Sequence, residues 1–294
     1  MSLPPRLGAI GFVNALPVMM GFEWPRSLVG GQLVMAAPSV LNRALLSGEL
    51  DASPVSSACY LRHQTDLLLI PGLSVSSPGA VESVLFISRH PIEAGTSLPH
   101  VIPVPDDSET SIALLRQLLR ERAGCDLDAR MRVYPAADYA EVLQEFGCAL
   151  IIGDRALSAS ETSFAQAPWH VCDLSSWWKR RTGLPFVFAV WAARRDFARQ
   201  QPQACEAIAQ ALRTSRDAFF RDEALFEQGV ALASKRIGLP PTRIRHYYRR
   251  SLTYDLMDAH YQALTRFADW IGAETGPFLT LTDACARCYD AAGV

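Results

Sequence analysis

The sequence predicts an α/β protein of two lobes facing a cleft, one lobe interrupted by the other. Three observations carry that prediction. Short apolar runs alternate with amphipathic helical segments through the first two thirds of the chain, and the last third reads as helix alone. The 294 residues, 49% apolar and 20% charged, reach the roughly 250–300 residues at which a single core stops growing. No Pro/Gly/Ser-rich linker separates the two α/β units, so the chain crosses between lobes on apolar runs, with 83–88 and 186–192 as the crossings and the hinge. Residues 1–89 and 192–294 then form one discontinuous lobe, and 90–191 the other.

Leu7 to Val13 is nearly all apolar and reads as a buried first strand bounded by Asn14 and Pro17. Gln32 to Ala36 is a second strand, and Pro38 to Ser47 a helix stopped by Gly48. Ala52 to Val55 is another buried strand, followed by a helix to Arg62 capped by Ser56 or Ser57. Leu67 to Ile70 and Ser83 to Ser88 are strands, and the small, polar residues 75–82 between them read as a loop entering the cleft. The second unit offers a strand at Val101 to Val104, an amphipathic helix at Ser108 to Arg122, a helix at 138–145, and apolar strands at Ala149 to Gly153 and Pro185 to Ala192. Helices follow at Pro202 to Phe220, Glu223 to Arg236, Thr242 to Arg249 and Tyr254 to Ile271, with Gly238-Leu239-Pro240-Pro241 as a break.

Thirty acidic against 28 basic residues leave a net charge of −2, which excludes the broad positive field of a nucleic-acid partner. The seven cysteines are an odd number without the framework of a secreted disulfide scaffold, and a reducing cytoplasm is expected. Cys285 and Cys288 form a lone Cys-x-x-Cys, short of the four ligands of a structural zinc, and the six histidines show no ligand spacing, so no metal is expected. Asn14 and Pro17 interrupt the early apolar run, which reads as a strand rather than a signal peptide. No apolar stretch reaches the ~18–20 residues of a membrane span. Gly-rich phosphate loops and the Gly-x-Ser-x-Gly elbow are absent, which argues against NAD, FAD and ATP chemistry and against a serine hydrolase.

Several polar residues stand where strands end and helices begin. Asn14 follows the first strand and is either a turn residue or a cleft residue. The tract Asp106 to Ser111 opens the long helix. It is either a cap with acidic residues in the first turn, or an anion site in which Ser108, Thr110, Ser111 and free backbone N–H groups hold a carboxylate. Ser56, Ser57 and Ser83 are caps or loop hydroxyls, and Asp154 either caps the next helix or faces the cleft. Trp177, Trp178, Phe186, Phe188 and Trp191 read mainly as core, although one ring of the group could cover a planar ligand.

Six ordered pieces, Ile10 to Pro17, Gly48 to Asp51, Gly79 to Val84, Ser108 to Ser111, Ile152 to Leu157 and Thr182 to Trp191, together resemble the chorismate dehydratase family of the futalosine route to menaquinone. That resemblance implies a fold similar to type II periplasmic binding proteins. It also implies loss of water from chorismate to give 3-[(1-carboxyvinyl)oxy]benzoate, with no metal or organic cofactor, and with a small dicarboxylate rather than a nucleic acid or a membrane as partner. A sister family that makes dihydroxynaphthoate carries Ser-Pro-Cys-Pro-Asn-Asp at the first strand, where this chain has Val13-Asn14-Ala15-Leu16-Pro17. Phe12-Val13 and Pro105-Asp106-Asp107 depart from the family's commoner residues. By motif position the resemblance makes Asn14 and Ser83 the active-site residues and Ser108, Thr110 and Ser111 the holders of a carboxylate. Ser56, Ser57, Gly153 and Asp154 complete the expected substrate-binding set. The proton acceptor is then the substrate's own enolpyruvyl carboxylate or, from the protein, Asp154. A non-catalytic binding protein for a small organic acid is the alternative of the same fold. A regulator's ligand domain is weaker, because no helix-turn-helix precedes the first strand.

Overall fold

The computed structural model describes residues 3–92, 99–123, 130–134, 139–162, 169–274 and 276–281. Strands β1 (Arg6–Ile10), β2 (Gln32–Ala36), β3 (Ala52–Ser56) and β4 (Leu67–Ser77) are joined by helices α1 (Leu16–Met19), α2 (Pro38–Ser47) and α3 (Ser57–Arg62). Then come β5 (Val84–Ser88), β6 (Ile102–Val104), α4 (Glu109–Ala123), β7 (Met131–Val133), α5 (Tyr139–Phe146), β8 (Cys148–Ile152), α6 (Gly153–Thr162), β9 (His170–Asp173), α7 (Leu174–Thr182) and β10 (Phe186–Arg194). The remainder is α8 (Arg195–Gln200), α9 (Pro202–Arg221), α10 (Glu223–Ile237), α11 (Pro241–His246), a π-helical turn (Tyr247–Ser251) and α12 (Asp258–Ile271).

One sheet has the order β2-β1-β3-β10-β4, with β1 parallel to β2 and β3, and β10 antiparallel to both its neighbours. A second sheet, β8-β5-β9, is antiparallel, and β6 and β7 form a short parallel pair. The main core runs from Leu7 and Leu41 through Leu69 and Trp191 to Phe226, and a smaller cluster of Leu85, Ile87, Val142 and Ile151 packs on the second sheet. Trp177 and Trp178 of α7 meet Phe186 of β10 and Phe267 and Trp270 of α12 in an aromatic block, so the closing helix is fastened to both sheets' neighbourhoods.

Sheet membership moves the expected crossings. β5 pairs with β8 and β9, and β10 lies wholly in the five-stranded sheet, so neither apolar run bridges the sheets. We therefore propose that the lobes exchange chain at 78–83 and 174–185 rather than at 89 and 192.

Four local expectations also shift, each for a physical reason. The first strand stops at Ile10, and the chain enters a 3-10 turn, Val13–Ala15, because Pro17 opens α1 and cannot continue a ladder. The expected loop at 75–82 is strand as far as Ser77, since β10 and Thr253 pair with it and the buried hydroxyls find partners. Ser74 Oγ, for instance, lies 2.6 Å from Ser76 Oγ and donates to the Asp255 carbonyl at 2.7 Å. The expected helix from Thr242 widens into the π turn at Tyr247. The last helix begins at Asp258, not Tyr254, and the Met257 N–H is met by His260 Nδ1 at 3.1 Å. Gly48 ends α2 in the left-handed region, as its place in the sequence predicts. Cys285 and Cys288 lie outside the described residues.

Candidate functional site

Between the sheets lies a cavity of about 660 Å³, counting its open mouth, lined by Ile10, Ser56, Val84 and Ile152 at the ends of β1, β3, β5 and β8 and by Val75 and Phe188 from within β4 and β10. Its walls are largely apolar, from Ile10, Phe12, Val75, Val84, Ile152 and Phe188 among others. Asn14, Ser56, Ser83, Ser108, Thr110 and Ser111 supply the uncharged polar lining. Among the described residues no Lys or Arg lines it, and Asp107 is the ionisable residue on its wall. Organic-acid ligands would therefore meet neutral donors and the amino ends of α4 and α6, not a cation.

The sequence brings these groups together through its turns. The 3-10 turn places Asn14 beyond the end of β1, and Val13 is held on both sides: its N–H donates to Asp154 Oδ1 at 3.0 Å, and its carbonyl accepts from Tyr248 Oη at 2.9 Å. Ser83 is buried and accepts from Tyr247 Oη at 2.8 Å, while its carbonyl accepts the Gly153 N–H at 2.8 Å. Glu82, just before it, has φ of +62°, the strained left-handed region for a residue with a side chain. Its N–H is fixed by Asp173 Oδ2 at 2.7 Å, and its carboxylate by Arg243 and by Ser251 Oγ at 2.9 Å.

The hydroxyl tract divides between structure and lining. Ser56 caps α3 by accepting the Cys59 N–H at 3.1 Å and also accepts from Asn42 Nδ2 at 3.1 Å. Thr110 accepts the Ala58 N–H at 3.1 Å, so the start of α4 is docked on α3. Ser57 is fully buried behind the wall, donates to the Val187 carbonyl at 2.7 Å and is not among the lining residues. Asp154 is not among them either. It pairs loosely with Arg236 at 3.6 Å, and its pKa is raised by burial, against the opposing pull of the Val13 N–H and Arg236. Gly153 lines the cavity at φ of +63°. Of the sequence-derived set, the structure thus gathers Asn14, Ser56, Ser83, Ser108, Thr110, Ser111 and Gly153 on one cavity, and leaves Ser57 and Asp154 outside its lining.

In the sequence Asp107 is one of the acidic residues in the cap reading of the tract 106–111 and a departure from the family's commoner residues. Asp107 lines the cavity with an Oδ1 that is buried and has no hydrogen-bond partner among the described residues. Burial foremost, then Asp106, pushes its pKa up. Tyr247 and Tyr248 were missed, because within a helical run nothing marks which phenol reaches across the fold. Of the aromatic group read mainly as core, Phe188 is a ring on the cavity wall, where β10 shifts register against β4 between Val187 and Ala189.

Architecture and site together define a protein of the periplasmic-binding-protein-like class. The Escherichia coli periplasmic aliphatic sulphonate binding protein superposes with a TM-score of 0.60 at 18% identity, over 91% of this chain and 86% of that one. A crystal structure of an Archaeoglobus fulgidus protein superposes with a TM-score of 0.67 at 16% identity, over 91% and 96%. Residues 5–273 match the family described as "Menaquinone biosynthesis", and the chain belongs to it. A protein named chorismate dehydratase from Thermus thermophilus is 36% identical over 289 residues, covering 93% of this chain and 97% of its own.

Proposed function

We propose that this protein is a chorismate dehydratase, a hydro-lyase converting chorismate to 3-[(1-carboxyvinyl)oxy]benzoate. One observation carries the reading: in a chain 36% identical to a chorismate dehydratase, Asn14 and Ser83, from segments far apart in sequence, line one cavity together with hydroxyls that open α4. The C3 proton of chorismate is vinylogously activated by the ring carboxylate. Its removal gives a delocalised anion that expels the C4 hydroxyl, and aromatisation drives the reaction. The protein must select the conformer and stabilise negative charge as it develops, a task of positioning and preset donors.

In this reading Ser83 donates to an oxygen on which charge accumulates, Asn14 orients the reacting portion, and Ser108 and Ser111 hold a carboxylate at the start of α4, while Thr110, also expected there, has its hydroxyl engaged by Ser57 and Ala58 and docks that helix on α3. An amide is a poor base, and Asp154 stands outside the lining; in this reading the substrate's own enolpyruvyl carboxylate takes the C3 proton, and Asp107 on the cavity wall is the competing protein carboxylate. The apolar walls keep water from the anion. Nothing in this sequence of steps calls for a metal or an organic cofactor. Among the described residues no helix is long and apolar enough to cross a membrane. Cys59 and Cys148 are buried thiols outside any disulfide, and with them we place the protein in the cytoplasm.

The test is incubation of the purified protein with chorismate, the benzoate product being followed by chromatography, for the wild type and for Asn14→Ala and Ser83→Ala. Product from the wild type, formed at a much lower but measurable rate by both variants, supports the assignment. The fold's likeness to sulphonate-binding proteins favours one other reading, a non-catalytic receptor, which the same assay would reveal as chorismate bound and recovered unchanged.

A further inference from the structure

We propose that Tyr247 is a positioning residue for this reaction, its buried phenol fixing the Ser83 hydroxyl as a hydrogen-bond donor toward the cavity. The inference rests on the reading of the cavity as the chorismate site. Tyr247 and Ser83 are each 1% exposed, and the Tyr247 O–H donates to Ser83 Oγ at 2.8 Å. A serine hydroxyl carries one proton and two acceptor lone pairs. With one lone pair taken by the phenol, the Ser83 proton is left to be given away, and Ser83 lies on the cavity wall. Burial holds the phenol far above its ordinary pKa despite the Ser83 hydrogen bond, so Tyr247 stays protonated, and a donor, throughout the neutral range.

The backbone around this pair is built to keep it in register. Tyr247 opens the π-helical turn, and π turns displace side chains from helical spacing, often at functional sites. The next residue, Tyr248, donates to the Val13 carbonyl beside Asn14, and Ser251 at the end of the turn donates to Glu82 beside Ser83. One turn of the carboxyl-terminal helical layer therefore grips both segments that carry the proposed active-site residues. The strained φ of Glu82, the one non-glycine residue at positive φ among those described, is held by these contacts and by Asp173. A donor fixed before the substrate arrives needs no reorganisation when negative charge develops, which is where such a bond acts most strongly.

The experiment is Tyr247→Phe in the full-length protein, alone and combined with Ser83→Ala, with kcat and KM for chorismate and the thermal midpoint measured for each. Tyr247→Phe is expected to lower kcat by about 10–100-fold, less than the roughly 100–1,000-fold that loss of a direct preset donor costs because the Ser83 hydroxyl remains, while KM changes far less. In the Ser83→Ala background the same substitution is expected to change kcat by no more than about twofold, because residues acting as one unit are not additive. Wild-type kcat in Tyr247→Phe, or the same fold-loss with and without the Ser83 hydroxyl, overturns the proposal while leaving the dehydratase reading intact. A wild type that makes no product overturns that reading and this one with it. Should Tyr247→Phe fail to fold, 3-fluorotyrosine at position 247 keeps the ring and changes its acidity. A kcat that shifts with it supports the positioning role, and an unchanged kcat refutes it.

Discussion

Asp154 reaches across from the start of α6 to the loop after β1, where its Oδ1 accepts the Val13 amide N–H at 3.0 Å. The carboxylate considered as the protein's proton acceptor is thereby a brace for Asn14, one residue further on. Asparagine at 154 keeps an acceptor oxygen for that N–H, and alanine does not. Asp154→Asn is expected to retain turnover within about threefold. Asp154→Ala strands a backbone donor at a cost of about 1–3 kcal/mol and loosens Asn14, so both the melting temperature and kcat should fall. Loss of more than about a thousandfold in Asp154→Asn, the scale of removing a group essential to the chemistry, would restore Asp154 as the acceptor.

A second prediction concerns pH. Burial, with Asp106 beside it, raises the Asp107 pKa in the folded state. A carboxyl shifted upward on folding contributes stability that is complete below its unfolded pKa of about 3.9 and is lost as pH climbs through the folded pKa. Asp107→Asn is therefore expected to raise the melting temperature at pH 7 and to change it little near pH 3. The same charge faces the ligand, since Asp107 lines the cavity. KM for a dianion should increase as Asp107 ionises, and the amide variant should show a lower KM with a flatter pH profile. Superimposable KM profiles for the two proteins would remove Asp107 from binding.

Local elements were legible because their signals are local. Gly48 ends α2 and Ser56 caps α3 through contacts with residues a few positions away. Which strand joins which sheet depends on pairing partners distant in sequence, and the run 83–88 looked like a crossing because nothing in it records that β8 and β9 flank it. The site follows the same division. The resemblance pointed to Asn14 and Ser83, and to a hydroxyl tract at the start of α4. It could not say that Ser57 faces Val187, that Asp154 faces Val13 or that Asp107 faces the cavity, since a side chain's direction is set by tertiary packing. Tyr247 reaches Ser83 across 164 positions, and no window of sequence contains both.

The divided hydroxyl tract makes a third prediction. Thr110 Oγ1 accepts the Ala58 N–H and lies 3.2 Å from Ser57 Oγ, all in buried surroundings. Thr110→Val keeps the shape and deletes the acceptor, so it should cost about 1–3 kcal/mol, a melting-temperature drop of several degrees, with KM rising as α4 shifts. Ser111→Ala is expected to act mainly on KM. Equal effects of the two variants on melting temperature, read by calorimetry, would contradict the assignment of Thr110 to docking α3 on α4.

Gly153 makes the last prediction, because two demands meet at it. Its φ of +63° suits glycine and its N–H donates to the Ser83 carbonyl at 2.8 Å, while a Cβ there would make ordinary contact with the Phe12 ring at 3.4 Å. Alanine in the left-handed region costs roughly 1–2 kcal/mol, and relieving that strain would drag the amide away from Ser83 and press on a cavity wall. Gly153→Ala should therefore lower both the melting temperature, by about 2–6 °C, and kcat/KM, by roughly tenfold. Asparagine tolerates positive φ better than alanine but carries a larger side chain toward the cavity. Gly153→Asn is accordingly expected to recover part of the lost stability and none of the lost activity, which separates backbone strain from space in the cavity. A Gly153→Ala protein that melts and turns over like the wild type would mean that neither the conformation at 153 nor its contact with Ser83 matters to the site.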